Sequence, residues 1–152
     1  MKTSKGLLIG FWIATLLFAL QMGFTAFAQL RLPQVAAAFA RLGFPAWFRV
    51  ELACAKFLGL AVLLLPMAPA RLKEWAYCGF AITLTSAVIA HLAIGEGVAA
   101  WGWAAGTGVL WALSYFFWRR LQASSAVRVA RAAEPHYGSV ASGESIQSAE
   151  PS

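Results

Sequence analysis

Residues 44–66 read FPAWFRVELACAKFLGLAVLLLP, an apolar run entered after one proline and closed by another. Past Arg49, two charged side chains, Glu51 and Lys56, stand inside it. A run of this length and composition reads as a membrane-spanning helix. A charge at membrane depth costs roughly 2.5–3.5 kcal/mol on insertion scales, so each of the two is expected to face a bundle interior, a wet cavity or the headgroup layer. Whatever the chain does is expected to involve this segment and the groups across from it.

The composition makes that reading general. Of 152 residues, 61% are hydrophobic and 12% charged. Soluble domains run near about 45–50% apolar and about 25% charged, so the chain is an integral membrane protein by composition, with the lipid bilayer as its first partner. The net charge is +6, but the basic residues cluster at the ends of apolar segments, with no basic stripe interleaved with exposed aromatics; this excludes nucleic acid as a partner. All six acidic residues are glutamate, which argues against a carboxylate-rich metal cage, and no metal site is expected. Cys54 and Cys78 lie inside apolar segments without a CxxC or metal-ligand spacing. They are expected to be buried small hydrophobes, unlinked to each other.

Outward from the opening stretch, the residues divide into four spans: about 7–28, 50–65, 75–94 and 98–118. The first imitates a secretory signal peptide, with Lys2 and Lys5 ahead of it and Ala26-Phe27-Ala28 at its end, but its apolar part is longer than such a core, so it is expected to stay as a helix. Between the first two spans, Pro33 suits a helix start and Gly43 a helix end, and Val35, Phe39 and Leu42 share a face. This predicts a short interfacial helix in the first outer loop. The later connectors are short, so neighbouring helices are antiparallel. The expected fold is an all-α, integral membrane four-helix bundle over residues 1–121, followed by a disordered cytoplasmic tail over 122–152, where Ser, Gly, Glu and Pro take over. Lys2, Lys5, Arg71, Lys73, Arg119, Arg120, Arg128 and Arg131 fall on one side, and Arg31, Arg41 and Arg49 on the other. An excess of Lys and Arg marks the cytoplasmic side, so both termini are placed there. Trp47, Trp101 and Trp103 are expected to form an outer aromatic belt, with Trp75, Tyr115 and Trp118 forming an inner one.

With the helices so directed, Glu51 at the start of the second span and His91 near the end of the third have similar depth, with Lys56 some 7–8 Å deeper by helical rise. Gln21, Ser86 and Thr107 also fall in the outer half. These six residues are the binding-pocket candidates. Lys56 and His91 are expected to share a polar cavity, with Glu51 at its mouth. Each also has a plainer use: Glu51 in the headgroup layer, Lys56 snorkelling outward, His91 in an interhelical hydrogen bond. Gly79, Thr83, Ser86 and Ala90 make a small-residue stripe that reads as helix packing, and Glu74 reads as a surface ion-pair partner of Arg71 or Lys73. There is no nucleophile–base pair, nucleotide loop, HExxH or haem motif, and no cofactor site is evident in the residues themselves.

The stretch LGFPAWFRVELACAKFLG, then LLLP, then RLKEWAYCGFAITLTSAVIAHLAIG resembles the DoxX-like family of small four-helix membrane proteins. Gly43, Pro45, Lys56, Gly59, the Lys73-Glu74-Trp75 run, Tyr77, Gly79 and His91 carry the likeness, which covers roughly residues 7–120. The resemblance implies an inner (plasma) membrane protein acting as a component of a quinone- or thiol-linked redox system, with a quinone as the implied cofactor and a redox partner subunit or a homo-oligomer as the implied assembly. Relatives are linked to thiosulfate:quinone oxidoreduction together with a second subunit. A non-enzymatic small-solute or proton-coupled carrier and a structural partner subunit stay open beside it, and whether the chain is an enzyme is open as well. The lack of a visible inverted repeat weighs against the carrier.

Overall fold

Prolines and glycines decide where the helices begin and end. Pro33 stands in the first turn of its helix, while Pro45 and Pro69, held extended, are the N-cap residues of the two that follow. Gly43 and Gly95 take φ of +79° and +72°, the left-handed region, one residue past the C-caps of two helices. The computed structural model describes residues 3–133. Within them it is all-α, with five helices: α1 (Thr3–Arg31), α2 (Pro33–Arg41), α3 (Ala46–Leu64), α4 (Ala70–Ala93) and α5 (Val98–Ala133).

The four long helices close into a ring in which α1 lies between α3 and α5, and α4 completes the circle between the same two. Helices joined in sequence are therefore neighbours, as short connectors require. The short α2 rests against α1 and α3 at one end of the ring. Diagonal partners meet through large side chains: Phe18 of α1 sets its ring edge-on to Phe80 of α4, with centroids 5.1 Å apart. Gly59 of α3 makes room for that ring, since a Cβ there would lie 2.8 Å from Phe80.

The distribution of polarity is inverted relative to a soluble bundle. Leu20, Leu58, Ile82 and Val109 are 60–71% exposed, whereas Thr15, Gln29, Lys56, Lys73, Thr107 and Ser114 are buried. A continuous apolar exterior of this kind suits a hydrocarbon surround. Two helices, Lys5–Arg31 and Ala70–Ala93, are long and apolar enough to cross a membrane by length and composition.

Several expectations change here. Cys54 and Cys78 are free but exposed on the bundle surface, not buried. Trp118 is only 5% exposed and, with Tyr77, Trp111 and Tyr115, belongs to an aromatic cluster rather than to an inner belt; Trp75 alone of the three expected there is exposed. Arg119 is the partner of Glu74, at 3.1 Å, in place of Arg71 or Lys73. Finally, α5 does not stop near Trp118. It runs on to Ala133, because residues 119–133 are mostly Arg and Ala, with no Gly or Pro until Pro135. Residues 122–133 are thus helical; the rest of the expected tail, 134–152, lies outside the described residues.

Candidate functional site

Apart from Thr107, the buried polar residues form two groups at different heights in the ring. One joins three helices. Thr15 of α1 and Tyr77 of α4 each hydrogen-bond the Ser114 hydroxyl of α5, both at 2.7 Å, and the Trp111 indole N–H donates to the Tyr77 carbonyl at 3.0 Å. All three hydroxyls are fully buried. Each finds a partner, so the group reads as a lock between helices. Near it Lys73, also buried, sends its ammonium to the Leu63 carbonyl at 3.4 Å, at the last turn of α3, where the helix dipole favours a cation.

The second group surrounds a cavity of about 390 Å³ between α2, α3, α4 and the end of α1. Its walls are mostly apolar: Phe39, Leu42, Phe44, Phe48, Leu52 and Ile82. The Phe44 and Phe48 rings stack with centroids 5.0 Å apart, and Phe39 stands 5.9 Å from Phe44. The polar lining comes from Gln29, Lys56, Thr83, Ser86 and His91. Lys56 is 7% exposed and has one polar partner among the described residues, the Thr25 hydroxyl at 3.5 Å, which itself donates to the Met22 carbonyl. Among the described residues, no Asp or Glu lines the cavity. Gln29 is 6% exposed, and its Oε1 accepts no hydrogen bond among the described residues.

Of the six residues singled out in the sequence, Lys56, His91 and Ser86 line this cavity together. Gln21 and Thr107 pair with each other across α1 and α5, and neither is among the lining residues. Glu51 is not at the mouth; it is exposed and outside the lining. The reason is rotational: five residues turn a helix by about 140°, so burying Lys56 turns Glu51 outward. The carboxylate that pairs with His91 at this end is Glu96. It pairs with His91 Nδ1 and stands 3.7 Å from the Arg41 guanidinium at the end of α2. Helix-end geometry brings it there. With Gly95 left-handed after the C-cap Ile94, the Glu96 N–H returns to the His91 carbonyl at 3.0 Å. The spacing of Gly95 from His91 carried this signal in the sequence. Gln29 carried none, since a neutral amide at a helix end is ordinary.

The small-residue stripe has a different use from the one expected. Gly79 and Ser86 are exposed, and a Cβ on Gly79 would touch nothing within 4 Å. Thr83, Ser86 and Ala90 line the cavity, and Gly79 and Thr83 line a second one of about 250 Å³, with Ala55, Gly59, Trp75, Ala76 and Phe80. The two share Leu52, Lys56 and Thr83. Small side chains on α4 leave this space open along α3. Among the described residues there is no group of three His, Cys, Asp or Glu able to hold a metal.

Comparison with curated proteins found no match, and neither did comparison with solved structures. A model of the DoxX-like family matches residues 13–116, a span that takes in both cavities and the buried hydroxyl group, and the chain belongs to that family.

Proposed function

We propose that this DoxX-like protein is a multi-pass protein of the inner (plasma) membrane, and that it serves a redox system by holding a quinone between α2, α3 and α4. The observation that carries the reading is the cavity with Lys56 and Gln29 buried in an aromatic wall. Ligand pockets are typically about 300–1,000 Å³, mostly apolar, with a few polar groups that fix orientation. A quinone head group is planar and apolar on its faces, which suits Phe39, Phe44 and Phe48, and its carbonyls accept hydrogen bonds such as Lys56 can give. The second, largely apolar cavity adjoins at Lys56 and offers room for the first part of a hydrocarbon tail.

In this reading both termini are cytoplasmic. Lys5, Arg71, Arg119, Arg120, Arg128 and Arg131 collect at one end of the bundle, and Arg31, Arg41 and Arg49 at the other. The quinone cavity then opens in the outer half, beneath α2. A membrane-impermeant thiol reagent applied to intact cells is expected to label Gln34→Cys and to spare Gln122→Cys; the reverse pattern would invert the protein.

The functional test is extraction. Protein isolated with its native lipids, without detergent, is expected to carry about one quinone per chain by mass spectrometry, and Lys56→Met to carry no more than the surrounding lipid does. Equal quinone in the native protein and in lipid discs lacking it would end the quinone reading.

A further inference from the structure

The larger cavity and the smaller one beside it form a single trough. They share Leu52, Lys56 and Thr83, and together they follow α4 from His91 to Trp75, about 24 Å of helix at roughly 1.5 Å per residue. That is most of the depth of a hydrocarbon core about 30 Å thick. We infer that the site takes a membrane-resident quinone whose long hydrocarbon tail leaves the head group beside Lys56 and runs between α3 and α4 toward Trp75, and that Gly79 is the residue that admits this tail. The inference rests on the quinone reading above and gives it a substrate class, a tailed quinone in place of a small water-soluble one.

The two parts of the trough differ in chemistry. Gln29, Ser86 and His91 line the larger part alone, and Phe39 and Leu42 of α2 stand at its far side. Lys56 is more than nine-tenths buried and lies where the parts join, with one hydroxyl 3.5 Å away. Past Lys56 and Thr83 the walls are Ala55 and Gly59 of α3, with Ala76, Gly79 and Phe80 of α4. Among the described residues, no further polar side chain lines this part before Trp75. Thr83 spends its own hydroxyl on the Gly79 carbonyl at 2.9 Å. A hydrocarbon chain therefore strands no polar group by lying there.

Bilayer lipid is as apolar as these walls, so the trough gives the tail little attraction. Its effect is steric: the passage must stay free of side chains for the head group to seat with its tail attached. Gly79 keeps it free. A Cβ there would meet nothing within 4 Å, whereas one on Gly59 would strike Phe80 at 2.8 Å. Glycine at Gly59 thus serves the packing of α3 on α4. Glycine at Gly79 serves no contact, and glycine inside a helix is otherwise unfavourable. What it provides is space next to Lys56 and Thr83.

The test uses the full-length protein in lipid nanodiscs, with a decyl-substituted benzoquinone and the same ring carrying a methyl group in place of the decyl chain. For each probe the affinity is read as the ratio of variant to native protein, which removes the partitioning of the tailed probe into lipid. Gly79→Leu is expected to weaken the decyl probe about tenfold, the effect of overfilling a packed space, and to leave the methyl probe within about twofold. Ala55→Leu, from the facing helix, is expected to do the same. Gly108→Leu, at an equally open glycine of α5 outside both cavities, is expected to change neither. Leucine is the better helix former, so Gly79→Leu is expected to unfold no earlier than the native protein. If Gly79→Leu and Ala55→Leu weaken both probes alike, or neither, the tail does not run in this trough, and the quinone reading is left standing. Failure of both probes to bind the native protein overturns the quinone reading, and this inference with it.

Discussion

Ser114 holds two hydroxyls from two other helices, Thr15 and Tyr77, and all three are shut away from solvent. Removing it leaves two orphans; removing either of the others leaves one bond intact. Ser114→Ala is therefore expected to cost about 1–3 kcal/mol of bundle stability, and Tyr77→Phe less. The double variant should cost less than the sum, because the second change removes a group the first had already orphaned. Thermal unfolding of the four proteins in one detergent measures the cycle; strict additivity would contradict the network. At this scale the sequence was legible where charge broke an apolar run. Lys56 stood out for that reason, and it does line a cavity with His91 and Ser86. Thr15, Ser114 and Gln29 did not stand out, because a hydroxyl or an amide costs little enough that its presence in a helix indicates nothing until its neighbours are known. Lys73 was misread for the opposite reason. It sits in a basic connector, and nothing local says that its ammonium turns inward to the Leu63 carbonyl.

At the scale of elements, the glycines and prolines predicted the breaks well. Gly43 and Gly95 end α2 and α4 as left-handed residues, and Pro33 opens α2 at the expected place. The end of α5 was illegible because two criteria disagreed: polarity rises after Trp118, but helix propensity does not fall until Pro135. Among the described glycines, the one with least room for a side chain is Gly59. A methyl group there would meet the Phe80 ring at 2.8 Å, and Phe80 is itself buried against Phe18. Gly59→Ala is expected to destabilise the bundle by about 1–3 kcal/mol through overpacking. Adding Phe80→Leu, which withdraws the ring, should recover part of that loss even though Phe80→Leu alone is destabilising. Unfolding midpoints of the two single variants and the double show it. A double variant no better than Gly59→Ala would mean that Phe80 is not what the methyl strikes.

For the molecule as a whole, an all-α bundle of long helices with a short one at one end was readable from run lengths and connector lengths alone, and the family adds that such proteins are membrane proteins. The cavity was only half readable. Small residues on a helix serve equally to admit a neighbour and to leave a gap, and the pattern of Gly79, Thr83, Ser86 and Ala90 does not say which; here they border open space along α3. That space, with its buried Lys56 and Gln29, is the centre of the functional account. Photolabelling with an azido-quinone in native lipid discs, followed by peptide mapping, addresses it directly. The account predicts saturable labelling, displaced by excess unlabelled quinone, within Leu52–Lys56 of α3 and Ile82–His91 of α4, and its loss in Lys56→Met. Labelling confined to the exposed outer faces, such as Leu58 or Val109, and not displaced by competitor, would contradict it.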